Sequence, residues 1–325
     1  MNQKFYIAIF VALACFTGCF SAGAAEKEKF SKEAQAEAEA RKEIIMAEIK
    51  ALGEHPWAGD YYEGDGKGVN RYLTLAPESG FVFRWRGCLG LYDLNYGIAG
   101  QEEDTIQLLF TFKNEPEEGF EGVDSEFVPV PWGAHVFLVP PEEMIEFCND
   151  VNGSSVISYL RRRNDGEKDL RRWHLRRNLP GLPDVPEEYK PYLRPQDDPV
   201  KAEIISLGDT VNYPGKYVSK KKTPVTINKG SDAGLLPEMK LRVTRWGTDP
   251  NIKWWKIRGN LTLTDVEETF SEGVLSQDMD DEDPAIGWQL STGSRWEDDD
   301  EDEDEDDEPD DEDDDYDDEF DDESF

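Results

Sequence analysis

Residues 55–112 read HPWAGDYYEGDGKGVNRYLTLAPESGFVFRWRGCLGLYDLNYGIAGQEEDTIQLLFTF. Apolar and polar side chains alternate in short runs, Phe81, Phe83 and Trp85 against Val82 and Arg84, and Tyr72 and Thr74 against Leu73 and Leu75. Gly or Pro falls at almost every boundary between runs. A period of two broken by turn residues is the pattern of a β-meander, in which successive strands pair with their neighbours. Gly64–Gly68, GDGKG, lacks the spacing of a phosphate-binding loop, and neither Ser nor Thr follows Lys67, so it reads as a tight hairpin. Pro77-Glu78-Ser79-Gly80 is a second turn.

Working outward, the chain has 325 residues and a formal net charge of −37. Residues 297–325 hold 24 of the acids, and without them the remainder stands at only −13. Segment 57–199 carries 15 basic and 26 acidic residues; segment 200–275 carries 12 and 9. The acidic run therefore follows the most basic part of the chain. At that charge density, with almost nothing apolar to bury, a disordered tail is expected. The length suits two modest domains behind an N-terminal tether.

The N-terminus has Lys4, an apolar run from Phe5 to Phe16, then TGCFSAGAA. So short a run followed by small residues fits an export signal better than a membrane-spanning helix. Thr17-Gly18-Cys19 resembles the lipobox of bacterial lipoproteins, with Phe16 where Leu is usual; the resemblance implies a lipid on Cys19 and residues 1–19 as signal peptide. Cleavage after Ala22-Gly23-Ala24 would instead release a soluble protein.

Residues 26–52 are rich in Ala, Glu and Lys, contain neither Gly nor Pro, and stop at Gly53 with Pro56 beyond. Ser31 is the expected N-cap. Ile44, Ile45, Ile49 and Leu52 give only the last turns an apolar stripe, which predicts a weakly amphipathic helical stalk over 20–54, up to ~40 Å long and docked at its end. Too few large apolar residues repeat to favour a coiled coil.

The first domain is expected over 55–178 as an antiparallel barrel or half-barrel. Its order of aromatic, glycine and hairpin resembles the lipocalin-like domains of small bacterial lipoproteins. With VPVPWG at 128–133, HVFLVP at 135–140 and EFCNDVN at 146–152, it also resembles exported bacterial proteins of unknown function. After Pro140-Pro141, residues 142–152 read as one short helix with Met144, Ile145, Phe147 and Cys148 inward and Asn152-Gly153 at its end. Cys88 and Cys148 are the cysteines left after the signal. They read either as a disulfide of an oxidising compartment or as two buried thiols.

Residues 160–178, LRRRNDGEKDLRRWHLRRN, form the cationic cluster, a hairpin turning at Asn164-Asp165-Gly166. Arg161, Arg162, Arg163, Arg171, Arg172, Arg176 and Arg177 could grip a polyanion, because guanidinium forks suit phosphates and carboxylates. The competing reading is a solvated face paired with nearby Asp and Glu. An acidic exported chain disfavours nucleic acid, which leaves an anionic lipid or surface polymer as the anionic partner.

Residues 179–199 place six prolines among 21 residues and read as an extended crossover. Beyond it, VTINKGSDAGLLPEMKLRVTR, WWKIRGNLTLTDV and EETFSEGVL are similar to the small β-barrel modules of bacterial envelope assembly proteins, such as those of the rod-shape scaffold and flagellar rings. Gly230, Ser231, Gly234, Met239, Val266 and Ser271 carry that resemblance, with Glu238 where Gly is usual. It implies a second barrel over 200–296 serving assembly contacts. Trp246, Trp254 and Trp255 read as core and rim.

His55, His135 and His174 have no metal-ligand spacing, and no nucleophile elbow or His-Glu-x-x-His occurs. No cofactor and no metal centre is expected, beyond weak, many-sited divalent cation binding in the acidic tail. The expectation is a mainly β, membrane-anchored envelope protein that binds an envelope protein or an anionic surface polymer rather than catalysing. In this reading the tail modulates electrostatic contacts or solubilises the chain. A hydrolase of envelope material with its site in the first domain is the competing class; a deep pocket ringed by ionisable groups would favour it, and a filled barrel would favour the binder.

Overall fold

The computed structural model describes residues 30–64, 69–88, 90–114, 122–153, 159–163, 179, 181–195, 198–215, 219–245 and 259–293. Cys19, the second arm of the arginine hairpin, Trp246, Trp254, Trp255 and the acidic tail lie outside these residues.

The meander closes. Strands β1 (Gly59–Gly64), β2 (Val69–Ala76), β3 (Gly80–Gly87), β4 (Gly90–Glu102), β5 (Thr105–Phe112), β6 (Glu126–Trp132), β7 (His135–Val139) and β8 (Leu160–Arg162) pair in sequence order, and β8 returns to β1. Every pairing is antiparallel, and the β8–β1 pairing closes the sheet on itself. The alternation seen in the sequence sets the faces: Tyr61 lies opposite Leu73, Leu73 opposite Phe83, and Leu75 opposite Phe81, all buried in one core. Two close approaches need glycine. A Cβ on Gly80 would meet the Gly97 carbonyl oxygen at 2.0 Å, and one on Gly97 would meet that of Leu109 at 2.0 Å, beside the register shift in the β4–β5 pair.

Helix α1 (Lys32–Leu52) departs from the stalk expectation. Its caps are where the sequence puts them: Ser31 Oγ accepts from the Ala34 N–H at 3.1 Å, and the Gly53 N–H, at φ +68°, donates to Ile49 O. The helix lies along the first barrel, with Phe30, Ala38 and Ile45 buried in the barrel's own hydrophobic cluster. Arg41 rests over the Tyr96 ring at 4.8 Å, and Glu48 accepts from the backbone N–H groups of Glu78 and Ser79 at 3.0 and 2.7 Å. An inner face containing Ala38 gives little amphipathic signal in sequence, yet its small side chain lets the helix come close to the wall.

Helix α2 (Met144–Asn152) follows a single 3-10 turn over Pro141–Glu143. Met144, Phe147, Cys148 and Val151 form a satellite core with Val128, Val130, Trp132, Phe137 and Val139 on the outer face of β6 and β7. Pro129 and Pro131 sit within β6, which pairs with β5 only at Glu126 and Phe127. Proline has no N–H for a ladder, and here the edge of β6 is finished by the linker instead, the Asp184 N–H donating to Pro131 O and Trp132 Nε1 to Gly181 O. Val185 and Leu193 of the linker are buried in the same satellite core, so the proline-rich segment is packed rather than a spacer.

The second barrel comprises β9 (Lys201–Leu207), β10 (Val211–Tyr213), β11 (Lys220–Ile227), β12 (Lys240–Arg245), β13 (Gly259–Val266), β14 (Ser271–Asp278) and β15 (Gln289–Ser291). The order β11-β14-β13-β12-β15-β9 closes through a β9–β11 pairing, while β10 continues the same edge of β11 over Lys220–Lys222. Ile204, Val225, Ile227, Leu241, Leu261, Leu263, Leu275 and Leu290 fill it. The chain is mainly β, with two closed antiparallel barrels.

Candidate functional site

Each barrel's interior is packed with its own buried apolar side chains. Tyr61, Leu73, Leu75, Phe81, Phe83 and Ile106 occupy the first interior, with the Tyr61 hydroxyl donating to Trp57 O at 2.7 Å. Polar groups collect where Asp93 and Asn95 share the face of Trp85 and Phe83. Asp93 is fully buried, and its carboxylate accepts from Leu94 N, Asn95 Nδ2 and Asn114 Nδ2 at 2.7–2.9 Å. Arg71 bonds Glu63 at 3.1 Å and lies 5.4 Å from the Trp85 ring. Both oxygens of Asp93 are thus held by donors, the arrangement of a structural buried carboxylate.

Surface concavities are the better candidates. A groove of about 230 Å³ lies between α1 and the outer wall of the first barrel, lined by Lys42, Tyr72, Thr74, Val82, Arg84 and Arg86. The β2–β3 register explains the gathering. Tyr72 is opposite Arg84 and Thr74 opposite Val82, so these side chains share the face turned away from Phe81, Phe83 and Trp85. Arg84 and Arg86 are two residues apart on one strand, which sets them about 6.7 Å apart along it. Lys42 is presented from the helix one turn after Glu39. Arg84 Nη1 donates to Glu39 Oε1 at 2.5 Å; Arg84 is largely covered and Glu39 largely exposed. That hydrogen bond holds the Glu39 carboxyl below the usual carboxylate range, and the charges of Arg84, Lys42 and Arg86 act in the same direction. In a chain of net charge −37, three cations converging on one groove make a local reversal of sign.

The second concavity lies where the linker meets the second barrel. Its volume is about 530 Å³, and Arg194, Asp198, Lys201, Lys229 and Asp232 supply its charges. The Arg194 guanidinium is already engaged by the carbonyls of Leu193 and Gly234, and burial works against its charge. With two carboxylates set among its three cations and its arginine tied to backbone, this cleft reads as part of the junction.

That junction is organised by α2. Asn149 Nδ2 donates to Glu238 O at 3.0 Å and Asn149 Oδ1 accepts from the Lys240 N–H at 2.9 Å. One turn later, Asn152 Nδ2 donates to Tyr192 O at 2.8 Å and its Oδ1 accepts from the Arg194 N–H at 2.7 Å. Each carboxamide thus grips a donor and an acceptor two residues apart, as a neighbouring strand would, one on the second barrel and one on the linker. Lys240 Nζ pairs with Glu146, and Arg242 Nη1 donates to Gly153 O at 2.5 Å. Burial lowers the Arg242 pKa against the opposing pull of Asp150 and Glu146. The helix ends where the sequence predicts, but Asn149 and Asn152 escape a hydropathy reading because they are buried polar groups.

The expected arginine surface is only partly present among the described residues. Arg163 Nη1 pairs with Asp60 at 2.9 Å, and Asp60 also accepts from the Thr74 hydroxyl at 2.8 Å. Arg162 Nη1 donates to His55 O, and Arg161 Nη1 lies 3.4 Å from His135 Nε2. These three arginines make contacts along the barrel seam, and among them Arg163 is the one set against a carboxylate in these contacts. Arg171, Arg172, Arg176 and Arg177 are outside the described residues. Cys88 and Cys148 are not bridged in the structure, and of the two open readings the buried thiol describes Cys148 alone: Cys88 is exposed on the β3–β4 turn with its Sγ 3.9 Å from the Tyr92 hydroxyl, and Cys148 is buried in α2. The satellite core that encloses Cys148 keeps it from the exposed turn, and burial pushes its thiol up to about 12. Among the described residues no group of three or more His, Cys, Asp or Glu could hold a metal ion, and no helix is long and apolar enough to cross a membrane. No protein-family model, no curated protein and no solved structure matches this chain.

Proposed function

We propose that this chain is a non-enzymatic lipoprotein of the bacterial cell envelope, anchored through Cys19, that works as a binding or assembly module. The observation that carries the reading is that both barrels are filled by their own side chains, while the concave, charged surfaces lie outside them. A filled barrel has no room to enclose a reacting substrate, whereas a rigid wall with charges on its outer face presents contacts to a partner. The clasp between α2 and the second barrel holds two such walls in one body, which suits a protein that aligns partners. The resemblance of residues 224–273 to envelope assembly modules supports the same role, with an envelope protein or an anionic surface polymer as partner. In this role the acidic tail modulates how anionic partners approach, through a field screened within ~8 Å at physiological ionic strength.

Crosslinking in intact envelopes, followed by capture of the full chain and of a chain ending at Trp296, tests the proposal. A shared set of envelope partners, retained with altered salt dependence when the tail is absent, is the expected result. Palmitate incorporation lost in Cys19→Ser tests the anchor. Turnover of envelope glycan or peptide by the purified chain would replace the binding role with the hydrolase.

A further inference from the structure

The groove between α1 and the first barrel has the parts of an anion site. Its cations come from two elements that would have no reason to bring like charges together for stability alone, Lys42 from the helix and Arg84 and Arg86 from β3. Like charges at close range repel, and unless an anion sits between them the repulsion is uncompensated. The structure holds one anion there, Glu39, whose carboxylate is bonded by Arg84. Glu39 reaches the groove from its rim and is 58% exposed, so it can swing into water at little cost. Among the described residues, Asp60, which bonds the lining Thr74, is paired with Arg163, so Glu39 is the carboxylate set against the three lining cations and an excess of positive charge remains. Tyr72 adds a hydroxyl-bearing ring on the wall, and Thr74 is occupied by Asp60.

We propose that this groove binds a tetrahedral oxyanion, the phosphate of a monoester, with Arg84, Arg86 and Lys42 as its ligands and Glu39 as a built-in competitor. Arg84 supplies a planar fork on a strand that the barrel holds rigid, and Arg86 and Lys42 close on the anion from the strand end and the helix. Glu39 weakens binding by holding Arg84 until the incoming dianion displaces it, so the affinity is set by an exchange of one carboxylate for a doubly charged group. The volume of about 230 Å³ admits the charged group and its first linking atoms, and leaves the remainder of the ligand on the surface. The site deepens the binding role proposed above and rests on it only for the statement that the ester is borne by an envelope component.

Isothermal titration of the purified full chain with inorganic phosphate, then with a sugar phosphate, at physiological ionic strength to screen the acidic tail, reads the site directly. Glu39→Gln is expected to tighten binding about two- to fivefold, the size of one rim charge pair, and Lys42→Gln with Arg86→Gln to weaken it by at least as much. Glu39 and Arg86 are exposed and Lys42 only half-buried, so these variants keep the fold, and circular dichroism verifies it. Co-sedimentation with vesicles of phosphatidic acid, a phosphomonoester lipid, in phosphatidylcholine separates the sources. Vesicle binding that follows the same variant order assigns the group to a lipid head; response to the sugar phosphate alone assigns it to a soluble or polymeric ester. Phosphate affinities identical in wild type, Glu39→Gln and the double variant, or no binding at all, would overturn the site. Neither result bears on the envelope capture, which would stand or fall by its own partners.

Discussion

Glu238 has φ +68° although it carries a side chain, in a region of the backbone that an L residue enters at a cost of roughly 1–2 kcal/mol. The turn expected to need glycine is made without it. Three hydrogen bonds hold it there, from Glu238 N to Leu263 O, from Met239 N to Leu236 O, and from Asn149 Nδ2 to Glu238 O. The strain is therefore maintained by the barrel on one side and by α2 on the other. The Glu238 side chain is exposed, so Glu238→Gly removes strain without deleting a packed group. The net gain should be about 1 kcal/mol after glycine's extra chain entropy, a rise of roughly 2–4 °C in a thermal melt. An unchanged or lower midpoint would mean that the left-handed turn is not strained. The position was legible in the sequence because the residue broke a pattern; what the break cost was not, since it depends on Asn149, 89 residues away along the chain. The cysteines show the opposite limit. Their count, with an oxidising compartment expected, leaves a bridge open as one reading, yet burial is a property of the fold, and only the fold puts Cys148 inside a core. Native protein treated with iodoacetamide near pH 8 should be alkylated at Cys88 and not at Cys148, whose pKa of about 12 leaves almost no thiolate. Peptide mass mapping before and after denaturation checks this.

Helix α1 belongs to the barrel through contacts that titrate. The Arg84 hydrogen bond lowers the pKa of Glu39. Glu48 is lowered too, where burial alone would raise it, because the Ser79 side chain and the backbone N–H groups of Glu78 and Ser79 donate to the carboxylate. A carboxyl whose folded pKa is depressed stabilises above its unfolded value of about 4.3 and loses that contribution as pH falls through the folded value. Docking of α1 should thus weaken below about pH 4 and be constant from pH 6 to 8, by no more than ~1 kcal/mol per pair because Glu39 is mostly exposed. Hydrogen exchange of the α1 amides, corrected for intrinsic rates, would show the loss, and Glu39→Gln with Glu48→Gln would flatten it. Equal protection on both sides of pH 4 would remove these contacts from the account. Gly53 marks this helix's C-terminus in the sequence, and Ser31 is one candidate cap within a helical stretch expected to begin further upstream. Its inner face could not be read, because Ala38 has no hydrophobic weight and Phe30 and Ile45 are far apart. The strands were easier, since period two is a strong signal where one face meets a core. It fades at β7, where His135–Val139 is buried on both faces, and at β6, where Pro129 and Pro131 mark the edge that the linker covers.

The two barrels differ in strand number, yet α2 and the linker make them one mechanical body. Composition points the other way, because six prolines in 21 residues describe a spacer, and a spacer would let each barrel unfold alone. Instead Val185 and Leu193 are buried beside α2, and Asn149 and Asn152 bind backbone on the second barrel and on the linker. Removing either carboxamide leaves a buried carbonyl and a buried N–H without their partners, each worth about 1–3 kcal/mol. Because the two asparagines hold different segments, their losses separate: Asn149→Ala should free the second barrel, and Asn152→Ala should loosen the linker from the first. Calorimetry of the wild type is expected to give one transition whose van't Hoff and calorimetric enthalpies agree. In the double variant it should split into two, the second barrel melting first because it has lost both its clasp and the Glu146–Lys240 pair that α2 orients. Chymotrypsin should then cut the variant in the linker after Tyr189 or Tyr192 under conditions in which the wild-type linker stays whole. Two transitions already present in the wild type would mean that the clasp is too weak to couple the barrels, and the aligned pair of walls on which the binding role rests would be lost.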